Sequence, residues 1–174
     1  MQPYLAGLDW ELQLKPPELE IEETGDTFGA NARLKASCVA EATGEWAVAD
    51  DSGLAVEALG GAPGIYSARY GKTDADRISR LLTELAGRSD RDARFICAIA
   101  IARPDGTIAL AVEGICPGRI LEAPRGTGGF GYDPIFYVPE YDMTFAEMPL
   151  DIKQKCSHRG RAFQALLPQL GEIQ

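Results

Sequence analysis

Apolar and polar side chains alternate along Trp10-Glu11-Leu12-Gln13-Leu14, which predicts a half-buried strand that Pro16-Pro17 stops. Ahead of it, Tyr4-Leu5-Ala6-Gly7-Leu8 reads as the end of a helix, with Gly7 as its C-cap. Thr27 can cap a helix from Phe28 to about Thr43 that Gly44 closes, with Phe28, Ala32, Val39 and Ala42 on or near one face. Trp46-Ala47-Val48-Ala49 then predicts a short buried strand that delivers Asp50-Asp51-Ser52-Gly53 at its end, where α/β sheets usually meet ligands. Leu54 to Leu59 reads as a separate strand, followed by the turn Gly60-Gly61-Ala62-Pro63-Gly64. A second amphipathic helix is marked by Ile78, Leu81, Leu82 and Leu85, opened by Thr73 or Asp74 and closed by Gly87. Two β-prone runs, Ala93 to Ala102 and Thr107 to Ile115, flank the turn residues Arg103-Pro104-Asp105-Gly106 and predict a hairpin at the centre of the sheet. After a glycine-rich loop at Gly126 to Pro134, a last helix from about Gly160 to Leu170 carries Ala162, Phe163, Leu166 and Leu167 inward. With no internal repeat or linker, residues 1–174 read as one mixed α/β domain.

Composition narrows what such a domain can do. The chain is 45% hydrophobic and 25% charged, the balance of a globular protein rather than a disordered one. A formal net charge of -9 opposes a nucleic-acid polymer as partner, because neutralising a phosphate backbone needs clustered Lys and Arg. A small phosphorylated ligand stays compatible, since a few local cations or a divalent metal can outweigh a distant acidic surface. The longest apolar run, Phe95 to Ala102, is too short to span a bilayer, and no signal-peptide pattern opens the chain, so no membrane association and a cytoplasmic location are expected. Cys38, Cys97, Cys116 and Cys156 show no C-x-x-C spacing and read as reduced packing residues.

Three groups of residues could carry chemistry. Glu22, Glu23 and the pair Asp50-Asp51 offer hard oxygen ligands of the kind Mg2+ takes, with an adjacent carboxylate able to activate water; alternatively Asp50 and Asp51 open a turn and cap backbone amides. In Gly126 to Gly131 the glycines let backbone approach a ligand closely while Phe130 and Tyr132 offer faces for a base, or the stretch is a tight connection with two core aromatics. Lys153, Ser157, His158 and Arg159 precede the last helix and can donate to a carbonyl oxygen. His158 is the chain's one histidine; no G-x-S-x-G elbow is present for a Ser-His-Asp hydrolase to use it, and a lone His before a helix also reads as a capping or packing residue.

Taken in order, E-E-T-G-D-T-F, A-D-D-S-G-L-A-V, G-G-A-P-G-I-Y-S-A-R-Y, G-T-G-G-F-G-Y-D-P-I-F and S-H-R-G-R-A resemble the inosine triphosphate pyrophosphatase family from about Leu5 to Leu170. The resemblance implies an elongated two-lobed α/β fold with a central mixed sheet, a nucleotide cleft and a homodimer. It also implies Mg2+-dependent hydrolysis of aberrant purine nucleoside triphosphates (ITP, dITP, XTP) to monophosphate and pyrophosphate. On matching positions, Glu23 and Asp51 would hold the metal, Asp50 or Asp51 would take the proton from water, and Lys35 would reach a phosphate. Ser52 would touch the substrate, Phe130, Gly131 and Tyr132 would pack on the purine, Asp133 would address its edge, and Lys153, Ser157, His158 and Arg159 would enclose it. Donors aimed at a 6-oxo group are left unpaired by adenine, which would set selectivity.

Two departures stand out. The family ordinarily opens on a strand ending in a T-G-N-x-x-K type loop that grips the triphosphate, and no such segment stands in this sequence. The place of that strand is expected to be empty, filled by another segment or covered by a partner. Where the family commonly has Glu, Ala30 stands here, and Gly29 beside it weakens the helix by about 1 kcal/mol relative to Ala. The second reading that follows is a catalytically impaired purine-nucleotide-binding or assembly protein on the same fold.

Overall fold

A computed structural model of the chain describes residues 2–5 and 10–173. Five strands form one sheet in the order β1 (Ala47–Val56), β2 (Asp92–Ala102), β3 (Ile108–Ile120), β4 (Phe136–Val138) and β5 (Met143–Thr144). Helices are α1 (Gln2–Leu5), α2 (Phe28–Thr43), α3 (Asp74–Glu84), α4 (Leu150–Cys156) and α5 (His158–Leu166). The α/β class is as expected, although the four strand pairings among the described residues are all antiparallel, so a parallel pair is not among them.

Helix α2 begins and ends where the capping residues place it. Thr27 is extended and its side chain accepts from the Ala30 amide, while Gly44 closes the helix in the left-handed conformation at φ 70. Its buried face is Phe28, Asn31, Ala32, Ala36 and Ala40, lying against Ala47, Ala55, Ile96, Ala98, Ala100 and Ala102 of the sheet. Ala42, expected on that face, is exposed, because it lies two residues past Ala40, about 200° round the helix from the buried stripe of Phe28, Ala32, Ala36 and Ala40. Small residues on both surfaces let backbone approach backbone, and this brings the helix's polar positions Asn31 and Lys35 close to β1. Helix α3 is opened by a capping box of Thr73 and Asp76 and buries Leu81 and Leu85 completely.

Three expectations are corrected. Residues 10–14 make no strand: Trp10 and Leu12 pack partly buried beside Phe163 and Leu166, while Leu14 is 97% exposed. Alternation selects a face, but strand identity needs a ladder partner, and this segment has none among the described residues. Second, the strand at Ala47 does not stop at the aspartates and no second strand starts at Leu54. β1 runs unbroken to Val56, with Asp50 opposite Ile99 and Asp51 opposite Ala98 in β2, and residues Glu57–Leu59 form a 3-10 turn. Third, the C-terminal segment divides into α4, α5 and a 3-10 turn, leaving Leu167 40% exposed while Ala162, Phe163 and Leu166 are buried. The C-cap assigned to Gly7 lies outside the described residues.

The β2–β3 hairpin closes through Gly106, whose amide donates to the Arg103 carbonyl at 2.8 Å. β3 extends past Ile115 to Ile120, taking Cys116, Pro117 and Gly118 into the strand opposite β2. β4 pairs with β3 only at Arg119 and Ile120, so the missing amide of Pro117 falls where β3 has no second neighbour. The apolar interior divides between the α2 face of the sheet, a cluster under α5 with Cys97 and Ile99, and a cluster joining α3 to β4 and β5 through Leu81, Phe136 and Phe145. Cys97, Cys116 and Cys156 are buried and all four cysteines are free, as their spacing implied.

Helix α5 crosses β3 at Gly114, where a Cβ would collide with the Ala162 amide nitrogen and the His158 carbonyl oxygen. Gly114→Ala should therefore force α5 off the sheet and destabilise the chain by about 1–3 kcal/mol, a fall of roughly 2–10 °C in Tm. An unchanged thermal melt followed by circular dichroism would contradict this packing.

Candidate active site

The site is organised by β1. Successive side chains on a strand point to opposite faces, and here Ala49, Asp51, Gly53 and Ala55 face α2, while on the other face Val48, Asp50 and Ser52 lie toward α5 and Leu54 enters the cluster that joins α3 to β4. The adjacent aspartates therefore belong to different neighbourhoods.

On the α2 face, Lys35 Nζ donates to Glu23 Oε1 at 2.8 Å and to Asp51 Oδ1 at 3.1 Å. Asn31, one helical turn before Lys35 and fully buried, donates to Asp51 Oδ2 at 3.3 Å and accepts from the Gly25 amide at 2.8 Å, fixing the loop that carries Glu23. Arg69 approaches Glu23 Oε2 at 3.4 Å from the segment after β1. Burial raises the Asp51 carboxyl above the ordinary aspartate range despite the opposing Lys35 ammonium and the Asn31 bond. For Lys35 burial opposes the charge, but bonds to Glu23 and Asp51 outweigh it and hold the ammonium firmly protonated.

On the other face, Arg159 donates to Asp50 Oδ2 at 2.7 Å and Ser52 Oγ to the same oxygen at 3.4 Å. Burial acts against the Arg159 charge, yet Asp50 more than restores it, and its Nε is buried with no protein partner. Ser157 caps α5, accepting from the Gly160 amide at 3.1 Å, and is itself buried. That cap orients His158 and Arg159, the first residues of the helix. His158 stacks on Phe95 with ring centroids 4.7 Å apart, and its Nδ1 is buried without a partner. Desolvation, aided by the Arg159 charge, drops the imidazole pKa to about 3, so His158 is a neutral ring.

The glycine-rich loop closes this second side. Phe130 is 69% exposed with Lys153 Nζ 5.4 Å from its ring centre, and Lys153 also bonds Asp133 Oδ2 at 2.5 Å. Asp133, 4% exposed, accepts from the Phe130 amide at 2.9 Å as well, and Gly129 sits at φ 73 so close that a Cβ would strike that carboxylate. Tyr132 departs from its expected role. Its ring is 4% exposed within the α3–β4 core and its hydroxyl donates to the Ser67 carbonyl at 2.9 Å, leaving no face open to a purine. Burial pushes its phenol well above the ordinary range. A loop aromatic two positions from a neighbour points the opposite way only if the backbone turns between them, and Gly131 at φ 59 supplies that turn.

The structure thus joins Glu23, Lys35 and Asp51 on one side of β1, and Asp50, Ser52, His158 and Arg159 on the other, with Phe130, Asp133 and Lys153 as a linked third group. Asn31 and Arg69 are additions to which motif reading gave no role. Only Asn31 left a signal, the i, i+4 spacing to Lys35. Among the described residues no three His, Cys, Asp or Glu side chains gather as a metal cage. Glu23 and Asp51 still suit a hard divalent cation, since both already converge on one cation, the Lys35 ammonium, and magnesium commonly takes one or two carboxylates with water and phosphate oxygens completing its shell.

An antiparallel α/β scaffold thus sets two carboxylates against a lysine on one face of β1 and an aspartate–arginine pair on the other. Residues 1–169 match the Ham1 family, and the chain belongs to it. It is 68% identical over 173 residues to a dITP/XTP pyrophosphatase of Nostoc sp. (strain PCC 7120), covering 99% of this chain and 88% of that one. The solved structure of the Staphylococcus aureus Ham1 protein superposes with a TM-score of 0.86 at 43% identity, covering 91% of this chain and 83% of its own. A Ham1 protein from Coxiella burnetii gives 0.84 at 48% identity, with 88% and 81% covered.

The neutral state of His158 has a pH signature. Its folded pKa lies below the unfolded value, so between about 6.5 and 3 the unfolded chain binds the extra proton. The stability this neutral ring provides is present above pH 6.5, declines as pH falls and is lost below about 3. Urea unfolding at pH 7 and pH 5 should show the wild type losing about 1–2 kcal/mol more than His158→Gln. Equal losses in the two proteins would refute the assignment.

Proposed function

We propose that the chain hydrolyses aberrant purine nucleoside triphosphates such as dITP, ITP and XTP to the monophosphate and pyrophosphate, with Mg2+. The observation that carries this reading is the convergence of Glu23 and Asp51 on Lys35, across the strand from Asp50 and Arg159. The curated relative from Nostoc, a dITP/XTP pyrophosphatase at 68% identity, supports the substrate class.

In this reading Glu23 and Asp51 hold the metal, which when bound offsets triphosphate charge. Lys35 supports the phosphates, and Asp51 takes a proton from the attacking water. The water oxygen bonds to the α-phosphorus while the bond from that phosphorus to the bridging oxygen breaks, its electron pair leaving with pyrophosphate. Catalysis is then chiefly positioning and electrostatics. Asp50 is assigned to the opposite face, where it holds Arg159 for the base rather than acting on water. Phe130 offers the open ring face, and Arg159 with the neutral His158 presents polar atoms to a 6-oxo edge. Adenine's amino group would leave such donors unpaired, which disfavours it.

Pyrophosphate release from dITP with Mg2+ should be readily measured, and Asp51→Asn should lower kcat by about 10²-fold or more. Asp50→Asn should act mainly on KM and on preference over dATP. Binding of dIMP without any turnover of dITP would favour the reading as an impaired nucleotide-binding protein instead. A cytoplasmic homodimer belongs to the same proposal, supported by the family resemblance and by the exposed β3 face at Ala111, Ile115 and Pro117. Sedimentation at the mass of one chain would remove the dimer.

A further inference from the structure

The residues of the glycine-rich loop up to Phe130 are exposed, and ordering such a segment costs about 1–2 kcal/mol of backbone entropy per residue, so its position depends on ties from outside. Two ties reach it from the segment that follows β1. Tyr132 Oη donates to the Ser67 carbonyl at 2.9 Å, and the Gly131 amide donates to Asp74 Oδ2 at 2.7 Å. Asp74 is the first residue of α3 and is itself held. The Thr73–Asp76 capping box fixes the backbone on either side of it, and Arg77 bonds its other oxygen, Oδ1, at 2.5 Å. Gly131 adjoins Phe130, the exposed ring of the loop, so the Asp74 bond, together with the Phe130 amide's own bond to Asp133, sets where that ring stands. The same segment carries Arg69, which touches Glu23, so one stretch of chain contacts both the carboxylate group and the base-side loop.

From this geometry we infer that Asp74 is a positioning residue for purine binding, acting through the Gly131 amide to hold Phe130 in place as the base platform. The inference rests on the proposed function and adds to it a residue that does not contact substrate. Asp74 is half-exposed, with its side chain at 48%, so its removal leaves the core intact. A charge-assisted bond of this length is among the stronger ones available to a loop amide.

Steady-state pyrophosphate release from dITP with Mg2+ should show Asp74→Ala raising KM about fivefold or more with kcat within about twofold, as loss of one charged hydrogen bond implies. Asp74→Asn, which keeps an acceptor oxygen, should recover most of the wild-type KM. In the same variants dIMP should weaken as an inhibitor, while inorganic pyrophosphate, which lacks a base, should inhibit as before. The Gly131 amide should exchange with solvent deuterium more slowly in wild type than in Asp74→Ala. Given a wild type that turns over dITP, an unchanged KM in Asp74→Ala, a parallel loss of pyrophosphate inhibition in that variant, or fast Gly131 exchange in the wild type would each overturn the role of Asp74. Absence of dITP turnover in the wild type would instead overturn the proposed function, and the inference with it.

Discussion

The alternation of side chains along β1 is the constraint on which the site depends. Because β1 continues through the aspartates instead of ending before them, Asp50 and Asp51 cannot face the same ligand group. Each carboxylate sits partly buried and each has found a cation, Lys35 on one face and Arg159 on the other. Such a partner offsets part of the cost of taking a carboxylate out of water. The strand thereby separates two charged neighbourhoods by the thickness of its own backbone.

Two cations are thereby held in place within a chain of net charge -9. The acidic excess lies largely on exposed side chains, where solvent screens it, whereas Lys35 and Arg159 are shielded and ordered. Packing is what keeps them so. The alanine-rich surface of α2 seats Lys35 against β1, and the absence of a side chain at Gly114 lets α5 carry Arg159 to Asp50. Core residues with no chemistry of their own thus fix the distances between charged groups.

The cradle on the second side is assembled differently, from loops and helix starts tied by a small number of bonds. Asp133 takes both Lys153 and the Phe130 amide, and Ser157 orients the start of α5. Burial of His158 among aromatic rings removes its charge, so this side holds one fixed cation in Arg159, one partly paired cation in Lys153, and a neutral ring between them.

Local chemistry was legible in the sequence wherever a single residue decides the outcome. Thr27 and Gly44 bound α2, Thr73 opens α3, and Arg103-Pro104-Asp105-Gly106 turns the hairpin, because capping and turn formation involve only neighbours in the chain. The motif order that resembles the pyrophosphatase family also lay in the sequence and agrees with membership of the Ham1 family. Tertiary structure decided the rest. Residues 10–14 alternate like a strand and lack a ladder, Asp50 and Asp51 read as a strand end and lie within one, and Tyr132 reads as a base platform and is a core residue. For the last two the outcome turned on a partner far along the chain: β2 for the aspartates, Ser67 for Tyr132. Pattern along a chain specifies which face a side chain takes, while its neighbours there are chosen by packing across the fold.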